Sequence, residues 1–396
     1  MTKKTETDGR PLIVQKYGGS SLADPEHIRR VAANILDRKG RGADMVIVVS
    51  AMGKTTDQFI EMARELNPSP DGREMDMLLS VGERISIALL ALTINATGRY
   101  RAVSYTGSQI GIITDNAHTQ ARILEVKGHR LREALKEDKI VIVAGFQGVS
   151  INKEITTLGR GGSDTTAVAL AAALGADSCE IMSDIDGIYT ADPRAIPVAR
   201  RIDRIDYDLT LEMASSGARM LHRTSVEFAK RHRVKLALGS SFTGQIGTIV
   251  TDESLSRGNV TAVTTDLDVV LFRFPVRDEL ELPRMLCSER LTAKLWQQAG
   301  DRCLLGTAQC DAERAQQRLE DLGPELSREE SWALLSLIGT GVGLGTAAAE
   351  QLMHLLIRES WPCAGVVSHE LSTRVLLPRG VIEKAARLAH EHFFES

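Results

Sequence analysis

Three short runs in the first half of the chain are apolar or β-branched at nearly every position. They are LIVQKY (12–17), MVIVVSAM (45–52) and KIVIVAGF (139–146). A strand of this kind must be covered on both faces, as in a parallel sheet between two helical layers. Helix-like stretches separate the runs, for example residues 25–38 and 165–174. The alternation predicts an α/β fold up to about residue 250, a three-layer α/β/α sandwich around a mainly parallel sheet.

The character of the sequence changes after Thr251. All three tryptophans and four of the five cysteines lie in this later part. From Trp332 the pattern predicts β-α-β-β-α, the order of a ferredoxin-like unit, and a weaker copy is expected to begin at VTAVTTDLDVVLFRFP. We therefore expect a flexible tail, a large α/β domain and two α+β units, with the polar stretch TDESLSRGNV as a linker. The expected bounds are 1–11, 12–250, 260–330 and 331–396.

Composition excludes several classes of protein. With 43% apolar and 25% charged residues the chain is typical of a soluble globular protein. A formal charge of -4 gives no reason to expect nucleic acid or an anionic membrane as a partner. The polar start MTKKTETDGRP lacks the apolar core of a signal peptide, and no run approaches the ~20 apolar residues that cross a bilayer. Five cysteines without a C-x-x-C motif predict reduced thiols and a cytoplasmic location.

The first candidate functional loop directly follows the first predicted strand. It has the sequence KYGGSS (16–21), and a helix is expected after it, with Asp24 as N-cap and Pro25 as first residue. Paired glycines let backbone N–H groups approach phosphate oxygens, and Lys16 adds a mobile cation. The loop matches neither G-x-x-x-x-G-K-[ST] nor G-x-G-x-x-G. A tight strand–helix turn with a surface lysine stays an alternative.

The second loop, TLGRGGSD (157–164), runs into a predicted helix that ends before Gly175. Glycines, which have no side chain, leave room for a ligand. Arg160 can bind a carboxylate through two hydrogen bonds, and the N-terminus of a helix favours an anion. A plain helix cap by Ser163 or Asp164 is the alternative. That alternative does not explain an arginine inside a glycine run.

The third loop, SDIDGIYTADPR (183–194), contains the turn pair Asp186-Gly187 between two apolar pieces. Tyr189 is a candidate to lie against a nucleobase, and Arg194 is a candidate to bind a phosphate. A loop with a hairpin also explains this stretch by itself. No such structural reading explains all three loops together in one parallel α/β half.

With these loops the sequence resembles the aspartokinases, which have the amino-acid-kinase fold and C-terminal tandem ACT domains, and in particular their actinobacterial form. The similar segments follow the family's order over almost all of residues 12–200. They are VQKYGGSSL, IVVSAMGKTTD, REMDMLLSVGERIS, SYTGSQIGIIT, IVAGFQGV, TTLGRGGSDTTAVALAAALGAD and SDIDGIYTADPR.

The resemblance implies an enzyme that uses MgATP to phosphorylate the side-chain carboxylate of L-aspartate, with Lys16 and Asp164 as catalytic residues. Arg160 would hold the α-carboxylate of the substrate and Glu83 its ammonium group, while Asp164 would orient Lys16. The implied ATP-binding residues are Lys16, Gly18, Gly19, Ser20, Ser183, Asp184, Tyr189 and Arg194. The implied substrate-binding residues are Ser50, Thr56, Glu83, Phe146, Arg160, Gly161, Gly162 and Ser163.

The chemistry fits this assignment. A β-carboxylate with a pKa near ~3.9 is already ionised, so its activation needs no strong general base. Catalysis is expected from positioning and from charge neutralisation by Lys16, backbone N–H groups and Mg²⁺ carried by ATP. Two alternatives stay open: the same fold with another acidic amino acid as acceptor, and a non-catalytic regulatory partner.

Two departures from the family pattern bear on regulation and nucleotide binding. The family often has a basic residue near the serine pair that is LGSSF (238–242) here, and this chain offers only Lys235. The two effector turns, FPVRDELELPRML and IGTGVGLGTAAAEQL, lack the family's Pro-Gly pair. We therefore expect weak or no inhibition by lysine plus threonine, unless other residues rebuild the site. By resemblance we also expect a homo-oligomer through the ACT units, with ATP and L-aspartate as small-molecule partners.

Overall fold

The computed structural model describes residues 9–218, 220–252, 260–276, 281–288, 291, 293–320, 325–343 and 345–395. Most of the linker TDESLSRGNV, part of the first effector turn (277–280) and Leu344 of the second lie outside these residues. The chain divides into two compact units. The first unit comprises Met1–Ile188, Ile202–Tyr207 and Met220–Glu253, and the second comprises Tyr189–Arg201, Asp208–Arg219 and Ser254–Ser396.

Helices and strands alternate through the first part of the chain. In chain order they are β1 (Leu12–Tyr17), α1 (Pro25–Gly40), β2 (Asp44–Val49), α2 (Thr55–Leu66), α3 (Gly72–Leu79), α4 (Val81–Asn95), β3 (Ala102–Tyr105), α5 (Gly107–Ile110), β4 (Ile112–Thr114), β5 (Ile123–Val126), α6 (His129–Lys136), β6 (Ile140–Ala144), β7 (Gln147–Ser150), β8 (Ile155–Thr157), α7 (Gly162–Leu174), β9 (Ser178–Ser183) and β10 (Ile188–Tyr189).

Short antiparallel strands and helices make up most of the later part. The elements continue with β11 (Arg201–Ile202), β12 (Arg204–Asp206), α8 (Tyr207–Ser215), α9 (Arg223–His232), β13 (Leu236–Ser240), β14 (Ile246–Thr251), β15 (Val260–Asp266), β16 (Val270–Pro275), α10 (Glu281–Ser288), β17 (Ala293–Ala299), β18 (Arg302–Thr307), α11 (Gln309–Glu320), β19 (Ser327–Glu329), β20 (Trp332–Gly339), α12 (Ala347–Arg358), β21 (Gly365–His369), β22 (Ser372–Pro378) and α13 (Ile382–Phe394).

The main sheet of the first unit has eight strands in the order β12-β14-β13-β9-β1-β2-β6-β3. Strand β1 lies between β9 and β2 and is parallel to both, and β6 continues the parallel arrangement beside β2. Only β14 runs antiparallel to its neighbour β13. The prediction of an α/β fold with a mainly parallel sheet is confirmed. The carboxyl ends of β1, β2, β6, β9 and β13 therefore meet at one edge.

The apolar runs form strands because both of their faces are covered. Every residue of β2 is buried, and Met45, Ile47 and Val49 pack with α1 and α4 in one core cluster. Helix α7 also contacts β1 and β2. Since successive side chains of a strand point to opposite faces, the sheet needs helices on both sides. Fully burying each such side chain stabilises the fold by roughly 1.5–3 kcal/mol.

The structure agrees with the predicted start of α1 and the predicted end of α7, but it differs from the predicted start of α7. Asp24 caps α1 as expected, accepting hydrogen bonds from two backbone N–H groups ahead of it, and Gly175 ends α7 with a positive φ. Helix α7 begins at Gly162, three residues before the predicted start, and its N-cap is Gly161, which supplies no side-chain hydrogen bond. Neither Ser163 nor Asp164 is the cap, because both lie inside the first turn.

The second unit contains two four-stranded antiparallel sheets, with orders β15-β20-β22-β21 and β17-β18-β16-β19. The C-terminal segment has the expected order β20, α12, β21, β22 and α13. Strand β15, the VTAVTTD part of the expected earlier copy, pairs with β20 and so extends the sheet of the later repeat. The earlier repeat is built from β16 onward.

All five cysteines are free thiols. The run Gly72–Asn95, which comprises α3 and α4, is long and apolar enough by length and composition to cross a membrane, with a mean hydropathy of 1.8. Half of it is buried within the protein, as in the core helix of many soluble proteins.

Candidate active site

The candidate site lies in the first unit, at the carboxyl edge of the parallel sheet. Loops leave this edge after β1, β2 and β6, and the N-terminus of α7 joins them. The loops are held side by side by backbone hydrogen bonds, from Ser50 to the carbonyl of Tyr17 and from Gly145 to the carbonyl of Val49. Ligands of open parallel sheets bind at this edge because the loops there are free to diverge.

Lys16 and Asp164 form an ion pair at this edge. Lys16 is the fifth residue of β1, and its Nζ lies 2.6 Å from Oδ1 of Asp164 in the first turn of α7. The side chains are only 14% and 12% exposed, so the pair is largely shielded from water. A shielded ammonium group is a strong electrostatic partner for an anion.

Backbone donors surround this ion pair. The N–H groups of Gly18, Gly19 and Ser20 have no hydrogen-bond partner within the described chain, and the same holds for the N–H groups of Ser163 and Asp164. A Cβ atom on Gly19 would lie 2.8 Å from the carbonyl oxygens of the β2–α2 loop, so this close approach requires glycine. The two loops therefore present unpaired N–H groups beside a cation, which suits an anionic ligand.

Glu83 lies in the first turn of α4 and is only 2% exposed. Its Oε1 accepts a hydrogen bond of 3.0 Å from the backbone N–H of Ala51, whereas Oε2 is buried without a partner. Burial raises the pKa of Glu83 to about 7. A buried, unpaired carboxylate oxygen is unfavourable until a donor such as an ammonium group reaches it.

The loop after β6 packs directly on the start of α7. A Cβ atom on Gly145 would lie 2.7 Å from Oγ of Ser163, and one on Gly162 would lie 2.9 Å from the ring of Phe146. Phe146 has a positive φ of 67° and donates its N–H to Oγ1 of Thr166. These contacts fix Phe146 against the glycine loop that carries Arg160.

Two other predicted substrate residues are less enclosed. Arg160 is exposed, and no carboxylate of the described residues lies within ion-pair distance of its guanidinium group. Thr56 is the second residue of α2, a helix without a fully buried side chain. Both side chains are therefore accessible to a ligand at this edge.

His222 is a neighbour of the site that the sequence did not reveal. Gly161 has a φ of +71°, and a Cβ atom placed on it would lie 2.1 Å from the ring of His222. Nδ1 of His222 is buried without a hydrogen-bond partner. Burial lowers the pKa of His222. The negative charge of Asp164 acts in the opposite direction, and the positive charge of Arg160 lowers the pKa further. No sequence signal joins residues 61 positions apart, which only the fold brings together.

Asp76 is a second residue for which the sequence predicted no role. It lies in the segment REMDMLLSVGERIS, which resembles the family. It is fully buried on α3 and accepts hydrogen bonds from Nδ1 of His118 (2.6 Å), the N–H of Thr119 (3.0 Å) and Oγ1 of Thr157 (2.5 Å). Thr157 ends β8 and leads into the loop of Arg160. Asp76 therefore ties two loops of the site to one helix.

The third predicted loop is divided between the units. Ser183 and Asp184 belong to the first unit, at the end of β9, and Oγ of Ser183 donates to the carbonyl of Ile185. Tyr189 and Arg194 belong to the second unit. The guanidinium of Arg194 bonds both carboxylate oxygens of Asp192 in its own loop, at 3.0 and 2.9 Å.

Lys235 does not stand in for the missing basic residue near the serine pair. It precedes β13, whereas Ser240 and Ser241 are at the far end of that strand, about 17 Å away. The structure instead places the guanidinium of Arg30 over the ring of Phe242, 5.3 Å from its centroid. The basic group at this position comes from α1, which the sequence pattern did not show.

Comparison with known proteins agrees with this geometry. The family model "Amino acid kinase family" matches residues 11–240. Fold and site thus define a phosphotransferase of that family. An aspartokinase of Corynebacterium efficiens is 40% identical over 404 residues, covering 96% of this chain and 96% of that protein. The chain belongs to the aspartokinases.

Two further relatives show how the likeness is distributed. An aspartokinase of Mycolicibacterium smegmatis is 57% identical over 240 residues, or 60% of this chain, and the aligned part spans only 57% of that relative's length. The structure of E. coli aspartokinase III in complex with aspartate and ADP (R-state) superposes with a TM-score of 0.85 at 23% identity, covering 97% of this chain and all of that one. This structural similarity shows that the two chains share a fold.

Proposed function

We propose that the chain transfers the γ-phosphoryl group of ATP to the β-carboxylate of L-aspartate, giving ADP and 4-phospho-L-aspartate. The observation that carries the proposal is the Lys16–Asp164 ion pair, 2.6 Å long, within a rim of unpaired backbone N–H groups. The reaction must bring two anions together, and this arrangement supplies positive potential where they would meet. Asp164 holds the ammonium of Lys16 in place for the transferring group.

Glu83 supports an α-amino acid as the acceptor. Its unpartnered Oε2 is placed to accept a hydrogen bond from the substrate ammonium, and Arg160 is free to bind the α-carboxylate. Ser50, Thr56, Phe146, Gly161, Gly162 and Ser163 complete the proposed aspartate site. An acceptor without an amino group would leave the buried carboxylate unpaired, which disfavours it.

Gly18, Gly19 and Ser20 are proposed to bind the phosphates of ATP, and Ser183 and Asp184 its nucleoside. Tyr189 and Arg194 stay predictions as nucleotide contacts. Among the residues that the structure describes, no group of three or more His, Cys, Asp or Glu side chains could hold a metal ion. We propose that Mg²⁺ would be carried by ATP, where it would offset part of the phosphate charge, and that Asp164 would orient the metal-bound phosphates as well as Lys16.

The product would enter the pathway to aspartate semialdehyde, and so to lysine, threonine and methionine or to a specialised product. We propose that lysine plus threonine inhibit this enzyme weakly or not at all, because the sequences of both effector turns lack the Pro-Gly pair.

We also propose a cytoplasmic homo-oligomer with pairing through the ACT units. The predicted domain bounds are 12–250 for catalysis and 260–330 and 331–396 for the ACT units, with the difference that β15 (Val260–Asp266) pairs with a strand of the later unit.

A hydroxamate assay tests both proposals. Acyl phosphate trapped with hydroxylamine should form only when ATP and L-aspartate are both present, and L-glutamate should be a poor substitute. Millimolar lysine plus threonine should reduce the rate less than twofold. No hydroxamate with aspartate would refute the reaction, whereas strong inhibition by the two amino acids would refute only the regulatory proposal.

A further inference from the structure

A cavity of about 220 Å³ lies at the amino edge of the parallel sheet, opposite the edge that carries the candidate active site. Four neighbouring strands contribute residues from their starts, and the end of α1 contributes two arginines. The residues are Ala43 before β2, Ile13 in β1, Ser178 in β9, Lys235 before β13, and Arg38 and Arg41 at the end of α1. All of them lie in the first unit. We call this the amino-edge cavity.

Basic side chains outnumber acidic ones around the amino-edge cavity. Arg38, Arg41 and Lys235 line it together with one carboxylate, that of Asp177. Oδ2 of Asp177 accepts a hydrogen bond of 2.9 Å from the backbone N–H of Leu12, so part of this carboxylate is already used by the protein. The segments 37–41 and 230–235, which lead to the cavity, contain seven Lys and Arg residues and one Asp. A concave surface with this excess of positive charge attracts anions.

Arg38 is held at the cavity by a buried carboxylate. Its Nη2 donates a hydrogen bond of 2.8 Å to Oε1 of Glu180. Glu180 is fixed in turn, because its Oε2 accepts a hydrogen bond of 2.8 Å from the side chain of Gln15. Nε of Arg38 is buried and has no hydrogen-bond partner among the described residues. The guanidinium group therefore has donors to spare, and its orientation is set before a ligand arrives, which lowers the entropic cost of binding.

The other two basic side chains are available to a ligand as well. Lys235 is exposed, and no carboxylate in the part of the chain that the structure describes pairs with it. Arg41 pairs with Asp37 at 2.7 Å, but these side chains are 68% and 61% exposed. A pair so exposed contributes little stability, so an anion can replace Asp37 as the partner of Arg41. The hydroxyl group of Ser178 adds a neutral donor.

The size of the amino-edge cavity limits the ligand to a small ion. Its volume equals about seven water molecules at ~30 Å³ each, whereas pockets for drug-sized ligands begin near ~300 Å³. A nucleotide is therefore too large. Ile13 and Ala43 are buried and apolar, and an apolar wall strengthens the attraction between an anion and the cations beside it. Two guanidinium groups and one ammonium group suit a ligand with two negative charges.

We propose that the amino-edge cavity binds a small divalent oxyanion, with Arg38, Arg41 and Lys235 as its charged partners. Arginine binds tetrahedral phosphate and planar carboxylate oxygens equally well, so the ligand class comprises hydrogen phosphate and short dicarboxylates. The site is separate from the loop KYGGSS, because Ile13 and Gly18 are five residues apart along β1, or about 17 Å.

Isothermal titration of the full chain with sodium phosphate at low ionic strength tests the proposal. Phosphate should bind the parent at a site that Lys235→Glu weakens at least about tenfold, because the change replaces attraction by repulsion. Lys153→Glu is the matched control, since Lys153 is exposed on the turn between β7 and β8 and the charge change is the same. Its phosphate affinity should stay within about twofold of the parent.

Phosphate bound at the loop KYGGSS is told apart from phosphate in the amino-edge cavity. MgADP should displace the former, whereas only the latter should respond to Lys235→Glu. A parent that binds no phosphate or succinate, or that binds them with an affinity unchanged by Lys235→Glu, would overturn the proposal. Binding of succinate with the same dependence on Lys235 would assign the site to dicarboxylates as well, and binding of phosphate alone would assign it to phosphate.

Two further variants keep the result decisive. If Lys235→Glu lowers the melting temperature, Lys235→Met removes the charge and keeps the aliphatic chain, and it should still weaken binding at least about threefold. Arg38→Lys keeps a cation beside Glu180 but loses the planar fork, so it should weaken phosphate binding by about three- to tenfold. An Arg38→Lys variant that is folded by circular dichroism and binds as tightly as the parent would contradict the proposed site.

Discussion

At the scale of single residues, the site combines Lys16, whose charge is paired, with Glu83, which has one carboxylate oxygen without a partner. Lys16 already has a carboxylate partner in Asp164, so its position is fixed before any ligand arrives. Glu83 has half of its carboxylate unpaired and buried, so its ionisation depends on a ligand. The two residues therefore predict different responses to pH and to substitution.

Glu83 should make aspartate binding depend on pH. Burial raises its pKa to about 7, and only the ionised form attracts an ammonium group. We expect kcat/KM for aspartate to rise about tenfold between pH 6 and pH 8, as the ionised fraction grows. Glu83→Gln should abolish this rise and lower kcat/KM at pH 8 by about 10- to 100-fold. Initial rates over this pH range provide the measurement.

Stability gives an independent check on Glu83. Between its unfolded pKa near 4.5 and its folded pKa near 7, the folded chain keeps a proton that the unfolded chain loses. The ligand-free enzyme therefore loses stability as pH rises through this window. Glu83→Gln should raise the melting temperature at pH 8 but not at pH 4. A pH–rate profile unchanged by the substitution would exclude Glu83 from the aspartate site.

Lys16 should be needed for turnover and much less for folding. Lys16→Ala removes the cation next to the unpaired N–H groups, and we expect kcat to fall by about 10³-fold, the size typical for loss of one transition-state donor. Lys16→Arg keeps the charge and should retain more activity than alanine. ADP release gives kcat, and circular dichroism reports the fold. A Lys16→Ala variant with kcat within threefold of the parent would contradict the assigned role.

At the scale of elements, the carboxyl ends of parallel strands gather loops that are distant in sequence. Asp76 on α3 links the loop of His118 and Thr119 to the end of β8. The carbonyl of Thr119 lies 3.2 Å from where a Cβ atom of Gly159 would be, so this loop also forms a wall beside Arg160. One buried carboxylate thus positions the glycine loop without belonging to it.

Asp76→Asn should loosen the Arg160 loop selectively. Asparagine replaces one acceptor oxygen by an NH₂ group that faces donors, which costs about 2 kcal/mol of stability. We expect KM for aspartate to rise about tenfold while KM for ATP stays within twofold. Asp71→Asn on the same helix is the matched control, because asparagine caps a helix as well as aspartate does. Equal increases in both KM values for Asp76→Asn would indicate general unfolding rather than positioning.

At the scale of the whole molecule, the two units are assembled from interleaved segments of the chain. Residues 208–219 precede the end of the first unit yet belong to the second. There Glu212 of α8 pairs with Arg374 of β22 at 2.6 Å, and both side chains are 11% exposed. Burial alone would raise the pKa of Glu212, but Arg374 and a hydrogen bond from Ser372 hold it below its usual value.

Arg374→Met should destabilise the second unit by about 3 kcal/mol, because the buried carboxylate of Glu212 loses its guanidinium partner. All three tryptophans lie in this unit, so tryptophan fluorescence during urea unfolding follows it alone. Since the folded pKa of Glu212 is lowered, the pair stabilises the fold above the unfolded pKa and less as pH falls, so the effect should shrink near pH 4. Arg374→Met/Glu212→Gln should recover much of the loss. No recovery would mean that Arg374 acts through packing.

The sequence alone determined the elements and the chemistry of the loops. Apolar strands such as LIVQKY, the cap Asp24-Pro25 and the glycine runs are local patterns, because strand burial, helix caps and tight turns depend on neighbouring residues. The family likeness placed Lys16 and Asp164 in one site, and the structure brings them to 2.6 Å. Local rules do not specify which distant residues meet.

Only the tertiary structure decided the remaining features, because each depends on packing between distant segments. It placed His222 against Gly161, left one oxygen of Glu83 without a donor, and put Arg30 rather than Lys235 beside Phe242. It also placed β15 in the sheet of the later repeat, because β15 pairs antiparallel with β20. Sequence periodicity shows that α4 is apolar, but only the fold shows which of its sides faces outward.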